Sequence, residues 1–168
     1  MLRSIIGCCT LMIFSTIFES TWLHVLAIDS VLPDISLFIL IYISFKNTKP
    51  HGQIAGFISG ILHDGISSSP LGLTSCIRVL VAWAFNIAAG KFFIDRFLLP
   101  ALFALIATLL KVFSLYLFHF IFGDIVSTYS IFGKTLWIEV AYNSLISPVI
   151  FFILGLFGNF IVLKDNKI

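Results

Sequence analysis

Long apolar runs, bounded by charged and turn-forming residues, organise this chain. Six stand out, at roughly 5–27, 31–46, 51–66, 71–90, 97–122 and 137–163. The second and third are short. Between Asp29 and Lys46 there is room for about 17 residues, roughly 25 Å of helix, so a re-entrant hairpin of runs two and three competes with two full spans. The tip of that hairpin, Lys46-Asn47-Thr48-Lys49-Pro50-His51, would then lie near the membrane centre. Each lysine there costs at least about 2.5 kcal/mol, which favours two spans.

Composition strengthens the membrane reading. Of 168 residues, 60% are hydrophobic and 11% charged, and the mean hydropathy is +1.11, beyond the reach of a domain with a water-facing shell. A spanning helix takes about 20 residues, so six passes use up the chain and leave no soluble domain. The expected fold is an all-α integral membrane protein, a six-helix bundle forming a single domain over residues 1–168. A formal net charge of only +2, with no basic run outside the apolar segments, argues against nucleic-acid binding.

The connections carry an asymmetric charge. Arg3, Lys46, Lys49, Lys91, Arg96, Lys164 and Lys167 fall on one side and Lys134 on the other. Positive residues stay in the cytoplasm, so both termini are expected inside, with the connections at Asp29, at Asp64 to Pro70 and at Gly123 to Lys134 outside.

Signatures of covalent chemistry are weak. Ile5-Ile6-Gly7-Cys8 looks like a lipoprotein cleavage box, but too few residues precede Cys8 for a processed signal, and the first run is expected to stay as a helix. Cys8, Cys9 and Cys76 make no disulfide or metal spacing. Ile94-Asp95-Arg96 resembles a fragment of a membrane aspartyl peptidase motif. Its best companion carboxylate, Asp124, falls on the opposite membrane face, and two carboxylates must share one site for that chemistry. Histidines 24, 51, 63 and 119 are dispersed, and the adjacent His63-Asp64 pair suits a helix end better than a chelate. Serines 67 to 69 lie in no nucleophile elbow, and there is no phosphate loop. A non-enzyme without cofactor or metal is expected.

Charges inside apolar runs are costly and mark candidate sites. At 1.5 Å per residue, Glu19, Arg78 and Lys111 all lie roughly 20 Å from the cytoplasmic boundary, with Asn143 near the same level. Glu19 is expected to pair with Arg78 or Lys111, with Asn143 completing the hydrogen bonds. Such a cluster is either a clamp that fixes helix register or a site for an anionic group or a proton relay. Run three carries Gly52, Gly56 and Gly60 at four-residue spacing, followed by Asp64. Residues four apart share a helix face, and glycine lets another backbone approach closely. That face packs against either a neighbouring run or another protein's helix. Pro148 in the last run is expected to kink it.

From run two to run four the order of features becomes specific. Leu32-Pro33-Asp34 opens an apolar run and a basic turn follows at Lys46 to Pro50. Gly52-Gln53-Ile54-Ala55-Gly56-Phe57-Ile58-Ser59-Gly60-Ile61-Leu62-His63-Asp64 comes next, and Ser69-Pro70-Leu71-Gly72-Leu73 begins another helix. This pattern resembles the MreD family of rod shape-determining membrane proteins. The resemblance implies a subunit of the machinery that inserts side-wall peptidoglycan in rod-shaped bacteria, residing in the cytoplasmic membrane. It also implies association with MreC, MreB, RodA and a class B penicillin-binding transpeptidase. Pro33, Asp34, Asp64, Pro70 and Gly72 would shape an outer rim, and MreC would dock partly through Gly52, Gly56 and Gly60. The six-helix plan is also similar to substrate-binding subunits of energy-coupling-factor vitamin transporters, which would imply an outward-facing pocket.

Overall fold

The computed structural model describes residues 2–22, 27, 31–47, 50–67, 69–90, 97–128, 130 and 133–156, with the backbone alone for residues 2–4. Within them lie six α-helices: α1 (Leu2–Trp22), α2 (Ile35–Lys46), α3 (His51–Ile66), α4 (Leu73–Ala88), α5 (Leu98–Phe122) and α6 (Lys134–Leu156). A 3-10 turn, Gly123–Ile125, extends α5. Lys49, Lys91, Arg96, Lys164 and Lys167, which carry most of the orientation argument, lie outside the described residues, as do His24, Asp29 and Asp95.

α2 is the hub. Its sequence, Ile-Ser-Leu-Phe-Ile-Leu-Ile-Tyr-Ile-Ser-Phe-Lys, has no polar stripe, and a helix that is apolar all round belongs in an interior. Every residue from Ser36 to Phe45 is buried, and α2 packs on all five other helices. On one side α3 lies along α4 and α1 lies along α3; on the other, α5 pairs with α6. The two groups meet through α2 and through a smaller contact of α4 with α5, while α1 has no extensive packing on α5 or α6.

The two ends of α2 are held by different physics. Towards its C-terminus the contacts are aromatic: the Phe103 ring of α5 lies 4.9 Å from that of Phe45 and 5.2 Å from that of Phe85, and Tyr42 meets Phe151 of α6 edge-on at 5.6 Å. Such pairs add to their area burial about 0.5–1.5 kcal/mol each. Towards its N-terminus the contacts are polar.

The outside of the bundle is apolar. Phe14, Trp22, Phe97, Phe120 and Leu145 are among many large side chains more than two-thirds exposed, a surface that would aggregate in water and is at home in lipid. Three helical stretches are long and apolar enough to cross a membrane: Ile5–Trp22, Leu98–Ile125 and Lys134–Leu156. α2, α3 and α4 are shorter. The 12 residues of α2 rise only about 18 Å, but the non-helical lead-in, residues 31–34, adds about 13 Å if extended. Non-helical backbone at membrane depth is tolerated when protein or a cavity surrounds it, and both do here.

Helix starts differ from the apolar runs for local reasons. α2 begins at Ile35 rather than 31 because Asp34 caps it, accepting from the Leu37 N–H at 3.0 Å. α4 begins at Leu73 because Gly72, at φ +94, makes the left-handed turn into it. α6 begins at Lys134, after the Gly133 N–H closes a turn on the Ser130 carbonyl. It then runs on through Pro148, which offers no N–H to the Ser144 carbonyl. The Ser147 hydroxyl donates to that carbonyl at 3.2 Å instead.

The glycine row is covered from within. A Cβ on Gly52 would collide with the Ser44 hydroxyl of α2, and one on Gly56 would lie 3.0 Å from Leu40 and 3.4 Å from the Arg78 carbonyl. On Gly60 it would run into the Ser75 backbone of α4, 2.6 Å from its nitrogen. This corrects the expectation that MreC docks through Gly52, Gly56 and Gly60. The close approach that glycine permits is used by α2 and α4 of the same chain, and no room remains on that face for a further helix.

Candidate functional site

A cavity of about 320 Å³ lies at the head of α2, with walls drawn from all six helices and from residues 31–34. Glu19 of α1, Asp34 at the helix head, His63 of α3, Arg78 of α4, Lys111 of α5 and Glu139 of α6 supply its ionisable groups. Val31, Leu32, Leu37, Ile77 and Leu115 supply its apolar ones.

Asp34 organises the polar side. One oxygen, Oδ1, accepts from the Leu37 N–H and from the Ser36 hydroxyl, both at 3.0 Å, while Oδ2 takes the Lys111 ammonium at 2.8 Å. Its own N–H donates to Asn143 Oδ1 at 3.1 Å, and the Asn143 amide in turn donates to Thr108 at 3.0 Å. Lys111 also reaches Glu139 at 3.0 Å. Lys111 therefore binds the lead-in of α2, α5 and α6 together, and Asn143 does the same from the other side.

Arg78 is held differently. It is 5% exposed and donates to two hydroxyls, Ser36 at 2.6 Å and Thr16 at 3.3 Å, tying α4 to α2 and α1. Ser36 passes the contact on to Asp34, and the charge of Arg78 is balanced at longer range by Glu19 and Asp34. Glu19 accepts from the Ser36 N–H at 3.2 Å, at the positive end of the α2 dipole.

Glu19, Arg78 and Lys111 thus line one cavity and Asn143 is bonded to Asp34 beside it, but not in the pairing expected from depth alone. Lys111 takes Asp34 and Glu139 rather than Glu19, and Arg78 takes hydroxyls. The late start of α2 is the cause, because it draws Asp34 inward as a cap where an earlier start would leave it near the surface. The sign of the cluster changes with it: three carboxylates, Glu19, Asp34 and Glu139, face two cations. A site for an anionic group does not fit that balance.

The rim residues divide into two places. Pro33 is buried beside Asp34, in the lead-in to α2. Asp64, in the last turn of α3, faces the connection to α4, where its carboxylate accepts from the Gly72 N–H at 2.9 Å, the Thr74 N–H at 3.1 Å and the Ser69 hydroxyl at 3.2 Å. It acts as the missing side-chain cap of α4, supplied from the preceding helix. Pro70 and Gly72 shape that turn and line a separate apolar groove with Phe118 and Phe122 of α5. Among the described residues no three His, Cys, Asp or Glu side chains come together closely enough to hold a metal ion.

The family model for the rod shape-determining protein MreD matches residues 2–157, nearly the whole chain. The chain belongs to the MreD family. It is a rod shape-determining membrane protein, of a family whose role is structural. No curated protein and no solved structure matches it significantly. The two motif stretches that carried the resemblance now have physical roles in this MreD-family fold: the Pro33-Asp34 opening caps the buried helix, and the glycine row with Asp64 fixes α3 to α2 and α4.

Proposed function

We propose that this MreD-family protein is a multi-pass scaffold of the bacterial cytoplasmic membrane, with both termini in the cytoplasm, that binds MreC. It supports side-wall peptidoglycan synthesis in one complex with MreB, RodA and a class B penicillin-binding transpeptidase. The observation that carries this reading is the family match over residues 2–157. An inward-facing polar network and an outward apolar surface support it, since a scaffold must hold its own shape while offering lipid-facing helices to partners. With the glycine face occupied internally, the MreC span docks on that outward surface.

Depletion in the native host tests the reading, with shape followed by microscopy and membrane partners recovered on the tagged protein. Rounded cells and recovery of an MreC-like single-pass protein are expected. Unchanged shape, with an energising ATPase pair recovered instead, would overturn it. That second outcome belongs to a transporter substrate-binding subunit, the reading that the 320 Å³ cavity favours.

A further inference from the structure

The lipid-facing helices of this bundle do not share one length. α1, α5 and α6, of 21, 25 and 23 residues, rise about 31–38 Å, enough for a hydrocarbon core of about 30 Å. α3 and α4, of 16 residues each, rise about 24 Å. Both turn an apolar face outward, through Phe57, Ile61 and Ile66 on α3 and Leu80, Trp83 and Ile87 on α4. One wall of the protein is therefore about 6 Å shorter than the bilayer that suits the others.

Neither short helix can be drawn out to make up the difference. At one end Asn86 donates to the Asn47 carbonyl at 2.7 Å and to the Ser44 carbonyl at 3.3 Å, tying the end of α4 to the connection between α2 and α3. At the other end the Asp64 carboxylate holds the Gly72 and Thr74 N–H groups at the start of α4. Along α4 these polar layers, at Thr74 and Asn86, stand about 18 Å apart. Just past α4, Gly90 turns left-handed at φ +75, and Ser67 leaves α3 in an extended conformation. Tilting only shortens the span of a short helix. Lys46, exposed near the Asn86 layer, has a stem that can reach a more distant surface. Ser67 and Ser69 at the opposite end are short and bonded to each other, and Ser69 to Asp64. The mismatch therefore falls on the leaflet at the turn between α3 and α4.

Independently of the assembly role proposed above, we propose that the wall formed by α3 and α4 thins the bilayer beside it, so that this side of the protein collects phospholipids with short acyl chains and the α5 side does not. The occupant is lipid rather than another helix. Close helix pairing in lipid uses small residues, and Gly52, Gly56 and Gly60 of α3 are taken up inward by α2 and α4, which leaves bulky side chains outside.

Tryptophan quenching by brominated lipid tests this in the purified full-length protein, reconstituted in phosphatidylcholine vesicles. With Trp22→Phe and Trp137→Phe in place, Trp83, 58% exposed on α4, reports the lipid at the short wall. Adding Trp83→Phe and Phe113→Trp moves the reporter to the long wall on α5, where Phe113 is 66% exposed. Unbrominated lipids with chains of about 14 to about 22 carbons, which bracket the roughly 30 Å core, compete at each reporter. At Trp83 the shortest chains are expected to bind on the order of three-fold more strongly than the longest, and at position 113 the order is expected to be flat or reversed. The same short-chain preference at both reporters overturns the proposal, as does a long-chain preference, or none, at Trp83. A Trp83 that no lipid quenches would show a wall covered by protein and overturns it too. If a tryptophan variant fails to fold, the wild-type melting temperature in the same vesicles decides. It is expected to peak in a bilayer thinner than about 30 Å, and a peak at or above that thickness overturns the proposal.

Discussion

Gly60→Ala should loosen the contact between α3 and α4, although the same change in a lipid-facing helix is normally welcome. The added methyl would lie 2.6 Å from the Ser75 nitrogen and 2.8 Å from its hydroxyl, against about 3.5–4.0 Å for an unstrained contact. Ser75 cannot swing aside, because the clash is with backbone and its hydroxyl donates to the Phe57 carbonyl at 3.3 Å. α4 must therefore retreat by about 1 Å, a displacement of the kind that makes overpacking cost about 1–3 kcal/mol. The same retreat stretches the Asp64 bonds to Gly72 and Thr74, now 2.9 and 3.1 Å, beyond hydrogen-bond range. Gly65→Ala is the control. It lies on the same helix with nothing within 4 Å of an added Cβ, and alanine there should be neutral or stabilising by up to about 1 kcal/mol. Thermal unfolding in detergent, read by size-exclusion fluorescence, compares the two. A Gly60→Ala protein as stable as wild type would refute the reasoning, since the backbone clash would then be absorbed without cost.

Gly52→Ala collides chiefly with the Ser44 side chain, the Ser44 Cα lying 3.1 Å away, so Ser44→Gly in the same protein should restore part of the lost melting temperature; a double variant no better than the single would place the clash elsewhere. Asp64→Ala removes three acceptor contacts at the start of α4 and should destabilise by about 1–3 kcal/mol, whereas Asp64→Asn, keeping one acceptor, should cost less, as denaturation midpoints will read. Lys111→Met leaves Asp34 and Glu139 facing each other with their shared cation gone, a loss of about 3 kcal/mol. Its hydrogen exchange should rise first around Ile35–Leu37 and Leu136–Val140 while the α3–α4 pair keeps wild-type protection, and a uniform rise would argue against that local role.

Much of the fold was legible because lipid demands long apolar runs and helices are nearly the only way to fill them. Helix boundaries were less so. Pro33-Asp34 directly before Ile35-Ser36 is a helix-start signature, and reading it that way would have moved the start of α2 and turned Asp34 inward. The level shared by Glu19, Arg78, Lys111 and Asn143 follows from counting residues, but their partners do not. Thr16 and Ser36 are ordinary hydroxyls in apolar helices, and only the rotation of each helix aims them at a guanidinium. The glycine spacing revealed a close neighbour, yet a four-residue repeat says that a backbone comes near, not whose backbone it is.

The division of labour along α2 explains why this fold tolerates buried charge. At its C-terminal end Phe45, Phe85, Phe103, Tyr42 and Phe151 join the two helix groups by apolar contact. At its N-terminal end α1 does not close on α5 or α6, and apolar side chains have no surface there to meet across. In lipid, apolar packing carries no hydrophobic drive of its own, so bonds to Asp34 from Lys111 and Ser36, and from its own N–H to Asn143, do what packing cannot. Buried ion networks stabilise little against apolar replacements of the same shape, but they fix register, because each bond forms in one arrangement only. The cavity is the space this leaves, since a helix head fixed by side chains reaching inward from four neighbours cannot also be packed solid. The groups that hold α2 in place are thus the same ones that line the cavity.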